Sequence, residues 1–126
     1  KAAGKDYGVS TLASDAAYEQ VKDRIFTRRI DVVRVKGKSQ PVTLYQIICP
    51  KGKENAKHAE FVSRYEQGLA AYLERSWDTA IAHFKAAQHA LNTSDRSSRL
   101  LTERCLIYKA NPPNADWDGV YTRTTK

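Results

Sequence analysis

Lys36, Gly37, Lys38 and Ser39 stand between two runs of β-branched and aromatic residues, Ile30 to Val35 and Val42 to Ile48. Such runs favour strands, and a short glycine-bearing connection favours an antiparallel hairpin. Two ammonium groups beside a glycine at a hairpin tip have two readings. One is a solvated turn whose charges discourage aggregation. The other is an electrostatic site for an anion such as a phosphate. The remaining chemistry-bearing residues are scattered. Cys49 and Cys105 form no CxxC, and His58, His83 and His89 have no ligand spacing with them, which argues against zinc. Nothing in the sequence marks secretion, so both cysteines are expected as reduced thiols. Asp15, Asp23 and Asp31 are not grouped as metal ligands. Asp15 reads as a first-turn helix acid and Asp31 as a strand-face charge.

The 126 residues suffice for one modest domain or two small halves. No apolar run approaches the ~20 residues that cross a bilayer, and no signal peptide is visible at the start. The chain has no methionine and begins with Lys1, so it is expected to be a piece of a longer polypeptide. A membrane anchor upstream of it is compatible with that expectation. The net charge of +7 is uneven: residues 1–57 hold 12 basic and 6 acidic side chains, and residues 58–126 hold 9 and 8. Lys22, Arg24, Arg28, Arg29, Arg34, Lys36 and Lys38 are interrupted by Asp23 and Asp31 alone. Such a patch suits nucleic acid, an anionic membrane or a nucleotide, or is simply solvated. Lys38, Arg28 and Arg29 read as solvated neighbours of Lys36.

The elements that position the turn are predicted as strand, helix, strand, strand. Val9 to Ala13 reads as a short strand, and Ser14 as the cap of a helix presenting Ala17, Tyr18 and Val21. Ile25 to Val35 and the run opened by Pro41 form the hairpin. Residues 50–57, rich in breakers, are a linker between residues 1–49 and a helical part at 58–126. There, Phe61, Tyr65, Leu69, Tyr72 and Leu73 make one stripe, and Trp77, Ala80, Ile81, Phe84, Ala87 and Leu91 a second. Ser94 or Asp95 caps a third helix carrying Leu100, Leu101, Cys105 and Tyr108, which Asn111-Pro112-Pro113 ends. The tail, with Trp117, Val120 and Tyr121, is apolar enough to dock. The predicted class is α+β.

Two resemblances refine this. Gly68, Trp77, Ala80, Phe84 and Ala87 are similar in spacing to a tetratricopeptide repeat, in which small residues let two helices approach. Arg64, Gln67 and Asn92 depart from that pattern, and one repeat is fewer than the three or so of a free-standing solenoid. A generic helical hairpin uses the same residues.

Tyr7 to about Ile48, YGVSTLASDAAYEQVKDRIFTRRIDVVRVKGKSQPVTLYQI and the next residue, resembles the C-terminal end of the class III adenylate/guanylate cyclase catalytic domain. Its specific parts are the YGV strand-helix entry and the VKGK hairpin followed by Pro41, Leu44 and Tyr45. The resemblance implies a partial, ferredoxin-like β-α-β-β subdomain with a three-helix, tetratricopeptide-like extension behind it. It implies a parent that converts ATP or GTP into a 3′,5′-cyclic monophosphate with Mg or Mn. The family's metal-binding aspartates, transition-state asparagine and arginine, and base-reading residues all precede Tyr7. The resemblance therefore implies that this chain has no catalytic residues or cofactor of its own and is inactive without the N-terminal half of the domain. The one family position it retains is Lys36, the lysine that contacts substrate phosphates. A homodimeric, cytoplasmic parent is implied as well. Two other classes stay open. One is a non-catalytic tetratricopeptide-like interaction module with a basic surface. The other is a nucleic-acid-binding domain, against which stands the lack of a stacking motif around Phe26 and Tyr45.

Overall fold

The computed structural model describes residues 7–9, 11–34 and 40–122. The fold is α+β, and the chain divides into two compact units, Lys1–Glu54 with Val120–Lys126, and Asn55–Gly119.

The first unit is built on a sheet. Strand β1 (Leu12–Ala13) leads into helix α1 (Asp15–Val21), which is followed by β2 (Ile25–Arg34), β3 (Val42–Pro50) and, from the far end of the chain, β4 (Tyr121–Thr122). The order across the sheet is β1-β3-β2-β4. β1, β3 and β2 are antiparallel, whereas β4 runs parallel to β2, with Tyr121 opposite Val33. The expected strand from Val9 is shorter than predicted, because β1 pairs with β3 through two residues alone. Ser14 holds the cap position but makes no side-chain capping bond. The Asp15 carboxylate instead accepts the Thr43 N–H at 3.1 Å, tying α1 to β3. Of the three residues expected on the inner face of α1, Ala17 is exposed. Tyr18 does the docking, stacked on Tyr45 with ring centroids 3.8 Å apart.

The second unit is three helices: α2 (Ala56–Leu73), α3 (Trp77–Leu91) and α4 (Arg96–Ala110). Each begins or ends for a local reason. Asn55 caps α2 by accepting the His58 N–H at 2.8 Å, and Asp95 caps α4 by accepting from both the N–H and the hydroxyl of Ser98. α3 stops at Asn92, whose left-handed backbone (φ 57°) turns its N–H back on the carbonyls of Gln88 and His89. The apolar stripes meet as a core of Phe61, Tyr65, Leu69, Tyr72, Ala80, Phe84, Ala87 and Leu101, all buried. Val62 and Ala71, off the predicted stripe, are buried too, so α2 is covered over a wider arc than one face.

Gly68 sets the approach of α2 to α3. A Cβ there would lie 2.6 Å from Phe84 Cε1 and 2.8 Å from Cδ1. Phe84 is fully buried and its ring is packed against Tyr65, so it has little room to give. Gly68→Ala gains ~1 kcal/mol of helix propensity and incurs ~1–3 kcal/mol of overpacking. The expected outcome is a net loss of up to ~2 kcal/mol, read as a lower urea midpoint with unchanged m-value.

Candidate functional site

The hairpin is the natural place to seek a site. Lys36, Gly37 and Lys38 lie outside the described residues; the stem beneath them does not. β2 and β3 pair from Ile25↔Pro50 to Val33↔Val42, with register shifts between Phe26 and Thr27 and between Arg29 and Asp31. The second shift matters most. Strict alternation would place Arg28 and Ile30 on one face and Asp31 and Val33 on the other. The bulge inserts one residue opposite Leu44, and all four are buried.

Two expectations are overturned here. Arg28 is not a solvated neighbour of the turn: it is 1% exposed, and its Nε donates to Gln46 Oε1 at 3.0 Å. Asp31 is not a surface charge: it is 0% exposed, accepting the Tyr7 hydroxyl at 2.7 Å on Oδ2 and the Val32 N–H at 2.8 Å on Oδ1. Sequence reasoning missed both because charged residues in a strand are ordinarily solvated and nothing in β2 alone marks the bulge that buries them. A buried charge is tolerated when hydrogen bonds replace its water, and no buried side-chain nitrogen or oxygen among the described residues lacks a partner.

Among the described residues of this unit, four surface cations are also engaged. Arg29 lies over the Tyr45 ring, 6.0 Å from its centroid. Lys22 pairs with Glu19 at 2.7 Å, and that carboxylate holds the ammonium above its ordinary pKa. Lys51 Nζ donates to the Lys22 carbonyl at 2.8 Å, and Arg24 to that of Gln20. Two of the three aspartates are committed likewise, Asp15 to Thr43 and Asp31 to Tyr7 and Val32, and Asp23 is exposed. Among the described residues no three His, Cys, Asp or Glu side chains group as a metal site.

The helical unit offers a different constellation. Tyr72, Trp77, Tyr108 and Trp117 form a four-ring cluster in which every pair of centroids lies between 5.4 and 6.2 Å. Trp117 is held there by the segment after α4. Arg75 donates to the carbonyls of Pro113 (2.7 Å) and Asn114 and covers the Trp117 ring at 5.6 Å. A cavity of about 380 Å³ beside the cluster is lined by Arg75, Ser76, Trp77, Asp78, Thr79 and Lys109. Its cations are occupied, since Lys109 pairs with Asp78 at 2.8 Å and Arg75 clamps the tail. The docking expected of the tail is thus carried by Trp117 in this unit and by Tyr121 in the sheet.

Both cysteines are free, Cys49 half-buried and Cys105 fully buried. Burial pushes the Cys105 thiol up to about 11, which leaves almost no thiolate at neutral pH. Comparison of the chain with protein-family models, with curated proteins and with solved structures returns no match in any of the three.

Two measurements check this geometry. Tyr7→Phe removes the hydroxyl from a buried carboxylate and is expected to cost ~2 kcal/mol in urea unfolding; an unchanged midpoint would detach Tyr7 from the cluster. With a disulfide-exchange thiol reagent at pH 8, Cys49 is expected to react in the folded chain. Cys105 should react only as the chain unfolds.

Proposed function

We propose that this chain is the C-terminal part of a class III adenylate or guanylate cyclase catalytic domain, followed by a tetratricopeptide-like helical extension. The observation that carries the reading is the stretch from Tyr7 to Ile48, whose VKGK motif joins β2 to β3 of an antiparallel hairpin. The order β1-α1-β2-β3 supports it, being the β-α-β-β order that the family places at this end of its ferredoxin-like subdomain. On this reading Lys36 contacts the substrate phosphates and stabilises the charge that builds on the leaving pyrophosphate, acting as a compact, fully charged donor. ATP or GTP is the substrate of the longer protein, which works as a cytoplasmic homodimer with any membrane anchor upstream; nucleic acid is not a partner.

The metal chemistry lies elsewhere. Asp15 and Asp31 are spent on hydrogen bonds, and the described carboxylates do not fit a pair of Mg or Mn ions. Those ions belong with the family's aspartates upstream of Tyr7, so no step is assigned to a metal held by this chain.

A second reading has one observation in its favour. The close approach of α2 and α3 at Gly68 and Phe84, with Ala80 and Ala87 buried beside it, is the contact a tetratricopeptide hairpin makes. It supports a non-catalytic interaction module carrying a basic surface.

The test separates the two. Incubated with ATP or GTP and Mg or Mn, this chain alone is expected to form no cyclic nucleotide. Joined to the catalytic segment that precedes it, it is expected to turn over. There, Lys36→Ala should lower kcat/KM by about 10²-fold, ~3 kcal/mol of barrier. Turnover by the chain alone defeats the assignment of the catalytic residues to a segment before Tyr7, an unaffected Lys36→Ala enzyme defeats the role of Lys36, and no turnover by the joined protein defeats the cyclase reading.

A further inference from the structure

α4 is amphipathic in an unexpected way. Leu101 and Cys105 point inward and are fully buried, yet Leu106 and Ile107 on the same helix are each 55% exposed. They are the large apolar side chains left exposed among the described residues. With Glu103 and Ala110, also exposed, they form an i, i+3, i+4, i+7 stripe along the outer side of α4. Next to Leu106, between α3 and α4, opens a cavity of about 280 Å³ lined by Lys85, Gln88, Arg99, Thr102, Glu103 and Leu106.

Charge decides what fits. Lys85 on α3 and Arg99 on α4 bracket the groove, and neither makes an ion pair or a side-chain hydrogen bond with a described residue. That sets them apart from Lys109, Arg75, Lys22 and Arg64, which are engaged. Lone cations in a groove that opens on half-exposed Leu106 complement a surface that carries apolar and acidic side chains together. The helical spacing of the apolar stripe matches the ridge of a second helix. A lipid headgroup or nucleic-acid backbone fits less well. Two cations fall short of the ~4–8 that make a polybasic lipid site.

We propose that the α3–α4 groove docks an acidic amphipathic helix from a partner protein, its apolar ridge on Leu106 and Ile107 and its flanking carboxylates on Lys85 and Arg99. This surface is independent of the cyclase reading and would serve either function proposed above.

The test uses the full chain and a fluorescein-labelled amphipathic helical peptide of leucine and glutamate, followed by anisotropy. Its lysine–leucine counterpart is the control. The glutamate peptide is expected to bind and the lysine peptide not. Leu106→Asp, and separately the pair Lys85→Glu with Arg99→Glu, should each weaken binding about tenfold or more. Lys53→Glu with Lys57→Glu, which removes the same charge elsewhere, should leave it within about twofold. All these positions are exposed, and circular dichroism verifies that each variant keeps its helix content. The proposal is overturned if the glutamate peptide does not bind, if the Lys53/Lys57 pair weakens it as much as the Lys85/Arg99 pair, or if Leu106→Asp binds like the parent. It is overturned equally if Leu106→Asp abolishes self-association in sedimentation, which makes a second copy the occupant, or abolishes binding to phosphatidylserine vesicles, which makes it a membrane.

Discussion

The sheet unit depends on one irregularity. The bulge between Arg29 and Asp31 changes which side chains of β2 share a face, so that Arg28, Ile30, Asp31 and Val33 are all buried. Without it the strand would have to expose Val33 or turn Asp31 to solvent, and the Tyr7 hydroxyl would lose its acceptor. With it, the strand carries two charged residues inside and still reaches the Val33↔Val42 pair at the base of the turn. β4 adds to the same end of β2, at Val33 and Arg34. The irregular middle of β2 and its regular upper end are therefore parts of one arrangement: polar anchoring below, backbone pairing above.

The helical unit is organised by contact between unequal partners. Gly68 is small because Phe84 fills its place, and Phe84 is fully buried because Tyr65 and Ala80 leave it no other. One turn further along α2 the logic is reversed. Three large rings crowd around Tyr72, and Trp117 is retained by a guanidinium that takes two backbone carbonyls and one aromatic face at once. Aromatic pairs of this kind add ~0.5–1.5 kcal/mol each beyond their buried area, which suffices to hold a segment that forms no helix. Gly119 then passes Leu73 with a positive φ of 85°, a conformation that suits glycine. From there the chain enters β4.

Charge is distributed by use rather than by count. The basic first half looks in sequence like one continuous field. Folded, Arg28 is interior, Arg29 is laid on Tyr45, and Lys22, Arg24 and Lys51 are each bound to a neighbour. What these residues leave for a polyanion is narrower than the net charge of the first half suggests. The unengaged cations at the α3–α4 groove come instead from the half that is nearly neutral.

The α+β class, the hairpin, the three helices and most of their ends were legible in the residues alone. Strand propensity in β2 and β3, helical periodicity in α2 and α3, and the cap at Asp95 are local properties, decided by side chains a few positions apart. So was the stop after Ala110, since proline cannot continue a helix. The tertiary structure decided what local rules cannot reach. A bulge depends on the partner strand, so the burial of Arg28 and Asp31 was invisible in the residues of β2 alone. Which side of α4 faces the core depends on where α3 lies, so Leu106 and Ile107 passed unnoticed beside the stripe of Leu101 and Cys105. The return of Tyr121 to Val33 joins residues 88 positions apart, and only the folded chain brings such distant segments into register.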